Sequence, residues 1–193
     1  MDLSADRSCS AFAGTERIAS GHLAFVAGKV KALLDAGDTR SILIIDNQTS
    51  DQIEVDFRGT QGSVAEQFTY IDPTPPPKPG RGRPKLGVVS REITLHPRHW
   101  AWLERQGKPP SAVLRHLVEM ASRANQQEDA IRAAQTAVYR FLTTFAPHLN
   151  EYEEVLRALY QRDGESFEML VQDWPRDIVA HLKKIAPPAF NSQ

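Results

Sequence analysis

The sequence predicts an α+β fold: a small N-terminal ββαββ unit, a Pro/Arg-rich linker, a strand-helix-helix segment and a C-terminal helical region. Three observations carry this prediction. Short apolar or alternating segments flank a helical stripe within residues 10–58, five prolines fall within residues 73–79, and beyond residue 97 apolar side chains recur every three or four positions. The 193 residues divide accordingly into a small α/β domain at 1–72, a Pro-rich basic linker at 73–88, a strand-helix-helix segment at 89–125 and a helical region at 126–193.

Ser10–Gly14 and Arg17–Ser20 are expected to pair as a hairpin turning near Gly14-Thr15-Glu16. His22 to Ala36 places Phe25, Val26, Val30, Leu33 and Leu34 at roughly helical spacing, and Gly37 supplies the stop. Ser41–Asp46 is apolar enough to be a buried strand, whereas Gln52–Arg58 alternates Ile53, Val55 and Phe57 with polar residues, as a half-exposed strand does. The prolines of 73–79 cannot continue a helix or sheet and predict an extended spacer. Further on, a strand is expected at Val89–Leu95, a helix at Pro97–Gln106, a turn at Gly107–Pro110 and a second helix at Ser111–Arg123 capped by Ser111. A separate helix at Gln126–Leu149 carries Ile131, Ala134, Val138, Phe141, Leu142 and Phe145 on one stripe. Asn150 with Glu153 predicts a capped helix through Tyr160, and two shorter helices are expected at Glu165–Asp173 and Pro175–Ala186.

The net charge of −1 hides an asymmetry. Residues 1–72 hold 6 Lys/Arg against 11 Asp/Glu (−5), residues 73–125 hold 10 against 3 (+7), and residues 126–193 hold 7 against 10 (−3). A basic block between acidic flanks points to a polyanion, and nucleic acid fits better than a membrane surface because no basic amphipathic helix with a broad aromatic face accompanies it. No apolar run approaches the ~20 residues a membrane span requires, and the N-terminus has neither a basic n-region nor an apolar h-region, so a cytoplasmic, nucleoid-associated location is expected. Cys9, the single cysteine, leaves no internal disulfide framework and no multi-cysteine zinc site.

Catalytic chemistry is not expected. No nucleophile with a base, paired carboxylates, phosphate loop or metal cluster occurs at diagnostic spacing, so catalytic residues, cofactors and metals are all read as none. Pro97 breaks the helical spacing that His96 and His99 would need to share a metal, and Gly80, Gly82 and Gly87 lack the strand-then-helix setting of a nucleotide loop.

The most informative stretch is Lys78-Pro-Gly-Arg-Gly-Arg-Pro-Lys85. Arg81-Gly82-Arg83-Pro84 sets two guanidinium forks on a thin backbone: Gly82 has no Cβ to meet a groove floor, and Pro84 holds the exit extended. Such a segment suits a narrow, electronegative A·T-rich minor groove, and it resembles an AT-hook, with Lys78 and Lys85 placed for backbone phosphates.

The order strand, helix, helix at 89–125, with Ile93, Leu95, Leu103, Val113, Leu114, Leu117 and Val118 as its apolar set, resembles the ribbon-helix-helix repressors. That resemblance implies a homodimer whose paired strands enter the major groove. It turns Ser90, Glu92 and Thr94 toward the bases and sets Ser111 against a phosphate at the N-terminus of the second helix. Glu92 stands where the family usually carries a cation or amide and would accept from a cytosine amine, and His96-Pro97 lengthens the step into the first helix. If the two helices pack within their own chain instead, Trp100 and Trp102 become core or interface residues.

Ala11–Gly21, Gly82–Leu95, Arg98–Leu103 and Asp173–Ile178 together make the chain resemble, over nearly its whole length, a bacterial family of uncharacterised proteins (domain of unknown function 2239). The resemblance implies kinship without an activity. The expected function is that of a DNA-binding transcriptional regulator or nucleoid-associated factor. The alternative is a non-catalytic protein-interaction adaptor whose basic linker only tethers two acidic domains.

Overall fold

The computed structural model describes residues 8–68 and 89–190. They fall into two compact units, the first within Met1–Tyr70 and Glu128–Gln193, the second within Ile71–Gln127.

The first unit begins with the expected hairpin. Strands β1 (Ser8–Ala13) and β2 (Glu16–His22) pair antiparallel up to Ala13 opposite Glu16, and the tip is Gly14-Thr15. Gly14 has φ 59°, a left-handed conformation that costs glycine nothing. Helix α1 (Leu23–Asp35) ends as its sequence predicts: Gly37 N–H donates to Leu34 O and Asp38 N–H to Leu33 O, both at 3.1 Å, satisfying the last carbonyls. Strands β3 (Ile42–Asp46) and β4 (Gln52–Ile53) complete an antiparallel sheet of order β2-β1-β3-β4, so the ββαββ order is observed.

Side chains alternate across a strand, and β1 uses both of its faces. Phe12, with Leu43 and Ile45 of β3, joins a core with Val138, Phe141, Leu142 and Phe145 from the C-terminal part of helix α4 (Pro110–Phe145). Helices α5 (Tyr152–Gln161), α6 (Gly164–Val171) and α7 (Arg176–Ile185) close the same core through Leu159, Phe167 and Ile178. Cys9 and Ala11, with Ile44 and Ile53, pack on the opposite side against Leu23, Val26 and Val30 of α1 and Val64 of α2 (Gln61–Glu66). The sheet therefore lies between two helical layers. The N-terminal α/β segment and the C-terminal helices, delimited separately in the sequence, share one core. Ser10 is also buried on β1, and its hydroxyl donates to Asn47 Oδ1 at 2.7 Å.

Several expectations are corrected. β4 covers Gln52–Ile53 and not 52–58, because the chain folds back locally: Arg58 N–H donates to Asp56 Oδ1 at 3.0 Å, and Gly59 turns at φ 94°. The helices expected at 111–123 and 126–149 are one helix of 36 residues, α4. No Gly or Pro interrupts residues 123–127, and Asn125 is accommodated by donating its side-chain amide to Ala121 O at 2.8 Å. Asn150 does not cap α5. Its carbonyl accepts from Trp174 Nε1 at 3.0 Å, and Glu151, at φ 60°, takes the cap position without a side-chain bond. The N-cap of α6 is Asp163, whose Oδ1 accepts from Ser166 N–H at 3.0 Å.

One buried group is unusual. His181 of α7 is 1% exposed between Phe12 and Phe141, with ring centroids 5.5 and 4.4 Å away. Neither ring nitrogen has a hydrogen-bond partner among the described residues. Burial pushes its pKa from 6.5 down to about 4, and the Arg17 and Lys184 charges act in the same direction. The folded protein thus keeps His181 neutral, whereas the unfolded chain takes up the proton below about pH 6.5. The corresponding stability is complete above that pH, is lost as the pH falls toward 4, and amounts to about 3 kcal/mol. Denaturant unfolding at neutral pH and at about pH 4.5 is expected to show a markedly smaller acid-induced loss in His181→Leu than in the wild type.

Candidate nucleic-acid interface

The described part of the second unit is two helices joined by a short turn and led by an irregular segment. Pro97, at the first position of α3 (Pro97–Glu104), has the φ that a helix start needs and no N–H to leave unpaired. The helix closes with Arg105 N–H on Trp102 O at 3.2 Å and Gln106 N–H on Leu103 O at 3.1 Å, and Gly107 at φ 66° reverses the chain. Pro109 O then accepts from Ala112 N–H at 2.8 Å and from Val113 N–H at 3.2 Å, which starts α4 at Pro110.

The placement of the expected site residues follows from this geometry. Lys78, Arg81, Gly82, Arg83, Pro84 and Lys85 lie outside the described residues. Ser90, Glu92 and Thr94 are exposed. The strand expected at Val89–Leu95 is corrected to irregular backbone, since no strand among the described residues offers it a ladder. Ser111 is exposed but is not the cap: it is the second helical residue, because proline at 110 satisfies the first helical position better than serine does. Its N–H and hydroxyl still stand in the first turn, where amides face outward.

Leu103, 2% exposed, is the one buried side chain among described residues 89–127. Seven of the eleven large apolar side chains that stand exposed among the described residues fall in this short stretch: Val89, Ile93, Trp100, Trp102, Leu117, Val118 and Met120. Val113 and Leu114 are half-buried, and with Leu117, Val118 and Ala121 they form one stripe along the start of α4. Exposed cations surround this surface at Arg91, Arg98, Arg105, Lys108, Arg115 and Arg123, of which Arg123 is paired with Glu119 at 2.8 Å. His96 and His99 meet edge to face at 5.4 Å, and Arg98 Nε donates to His99 Nε2 at 3.4 Å.

Periodicity located the apolar stripe of α4 but could not say that Leu117 and Val118 stand exposed. Met120 and the exposure of both tryptophans were not foreseen, because burial depends on what else the chain brings alongside. In the first unit, a hollow of about 520 Å³ is lined by His148, Asn150, Glu151, Gln172, Asp173 and Trp174, and it contains none of the expected site residues.

The fold is therefore α+β, a sheet between helical layers in one unit and, in the described part of the other, two helices joined by a turn whose exposed surface is apolar and basic. The chain belongs to the family described as uncharacterized protein conserved in bacteria (DUF2239), whose model matches residues 8–186. No curated protein and no solved structure matches the chain. Among the described residues, no helix is long and apolar enough to cross a membrane.

The reversal at Gly107 is open to a direct check. Gly107→Ala places a Cβ in the left-handed region at a cost of about 1–2 kcal/mol. Amide exchange in Pro97–Glu104 is expected to accelerate while that of α1 stays unchanged.

Proposed function

We propose that the protein binds DNA without catalysing a reaction, as a homodimeric regulator or nucleoid-associated factor. The observation that carries this reading is the second unit's surface, which leaves Ile93, Leu117 and Val118 exposed among cations of which Arg123 alone has a carboxylate partner among the described residues, and buries Leu103 alone among described residues 89–127. A segment with so little core of its own gains stability by pairing with a second copy. In that pairing Val89, Ile93 and Leu95 turn inward and Ser90, Glu92 and Thr94 turn toward the major groove. Ser111 meets a phosphate. Lys78, Arg81, Gly82, Arg83, Pro84 and Lys85 supply the hook-like arm, with Arg81 and Arg83 in an A·T-rich minor groove.

Fluorescence anisotropy with A·T-rich and G·C-rich duplexes tests this reading. The wild type is expected to prefer A·T, with a log–log salt slope near −3 to −4 for about four phosphate contacts by the arm, and Arg81→Ala/Arg83→Ala is expected to abolish the preference and reduce the slope by about 2. Binding indifferent to salt and to these arginines would favour the adaptor.

The dimer has its own measurement. Light scattering is expected to give about twice 21.6 kDa for the wild type and the single-chain mass for Leu117→Glu/Val118→Glu.

A further inference from the structure

Helix α3 has two unlike faces. Positions 100 and 103 lie on the side where Leu103 is buried. Positions 98, 102 and 105 follow i, i+4, i+7 spacing on another side, and Arg105, the C-cap at φ −76° and ψ −7°, keeps the helical phase. Trp102, 43% exposed, therefore occupies a helix position between those of the exposed Arg98 and Arg105, with the small Ala101 beside it in sequence. Neither Arg98 nor Arg105 has a carboxylate partner among the described residues, and Glu104 lies on a different side of the helix.

We propose that this face of α3 is a stacking platform for an unpaired nucleic-acid base, with Trp102 taking the base and Arg98 and Arg105 the phosphates on either side. The inference rests on the reading of this unit as a nucleic-acid binder and adds the form of the ligand, a single strand. Every base offers a π face, and stacking on an aromatic side chain contributes about 1–3 kcal/mol per base whatever the sequence. The i, i+7 separation spreads the two cations along about 10 Å of helix, which suits a charged backbone passing over the ring. Positions 98, 102 and 105 carry two cations and no carboxylate, so charge complementarity selects a polyanion. The stacking face on α3 shares no residue with the stripe Leu114, Leu117, Val118 and Ala121 of α4.

The test titrates the full chain against a fluorescein-labelled mixed-sequence single strand and the matching duplex, using wild type, Trp102→Ala, Trp102→Phe and Arg98→Ala/Arg105→Ala. Trp102→Ala is expected to weaken single-strand binding about tenfold and duplex binding less than about twofold, while Trp102→Phe stays within about threefold of the wild type. The double arginine variant is expected to reduce the single-strand salt slope by about 1.4, at roughly 0.7 per contact. Trp102→Ala binding the single strand like the wild type would overturn the platform, as would equal losses on both ligands. Single-strand binding that depends on Trp102 in a protein with no duplex affinity would support the platform and sink the duplex reading. Duplex binding that persists while Trp102 proves irrelevant would do the reverse.

Discussion

The central strand of the first unit has no face left for solvent, and the remainder of that unit follows from this constraint. Cys9, Ser10, Ala11, Phe12 and Ala13 are all buried, in a strand paired along both of its edges, with β2 and with β3. A strand of this kind cannot be satisfied by nearby sequence alone. One face is covered by α1 and α2, which follow it closely in the chain. The other waits for Phe141 and Phe145, whose rings lie 5.6 and 4.9 Å from that of Phe12. Closing so long a loop carries an entropic cost that rises only slowly with length, and several fully buried aromatic and aliphatic side chains offset it. The small residues around Phe12 let both helical layers approach the backbone.

How much of this could be read beforehand depended on the range of the interactions. The hairpin, α1 and β3 were legible because their determinants are local: a glycine at a positive φ, an apolar run, a helix ending in the Gly37 closure. The C-terminal stripe Ile131, Val138, Phe141, Leu142 and Phe145 was legible for the same reason. The merger of two expected helices into α4 was not, since Asn125 resembles a breaker until its side chain finds the Ala121 carbonyl. Asn150 looked like a cap because nothing in its neighbourhood announces Trp174, which takes its carbonyl. α2 is six residues long and too short for periodicity to register. For the candidate interface, residue type and charge were legible, and Ser90, Glu92, Thr94 and Ser111 are indeed at the surface. The absence of a ladder at Val89–Leu95 was not, because a strand's existence depends on what it pairs with.

The two units differ in how they use apolar residues. In the first, almost every large apolar side chain of the central strand and its flanking helices is covered. In the second, the apolar and basic side chains alternate over an open surface. α3 illustrates the division on a small scale: Leu103 is turned in, while Trp102 lies with Arg98 and Arg105 on another side. The grouping of charge and aromatic character on that side follows from the spacing of 98, 102 and 105, whereas their exposure depends on what the rest of the chain brings alongside.

Cys9 carries a further consequence. It is the chain's single cysteine and it is fully buried in β1, beneath α1. No thiol stands at the surface of either described unit, so association of two copies through the apolar stripe of α4 would proceed without a disulfide between them. Whatever joins or separates such copies would act through packing and charge, with the exposed Met120 of α4, and not a thiol, as the group there that an oxidant could alter.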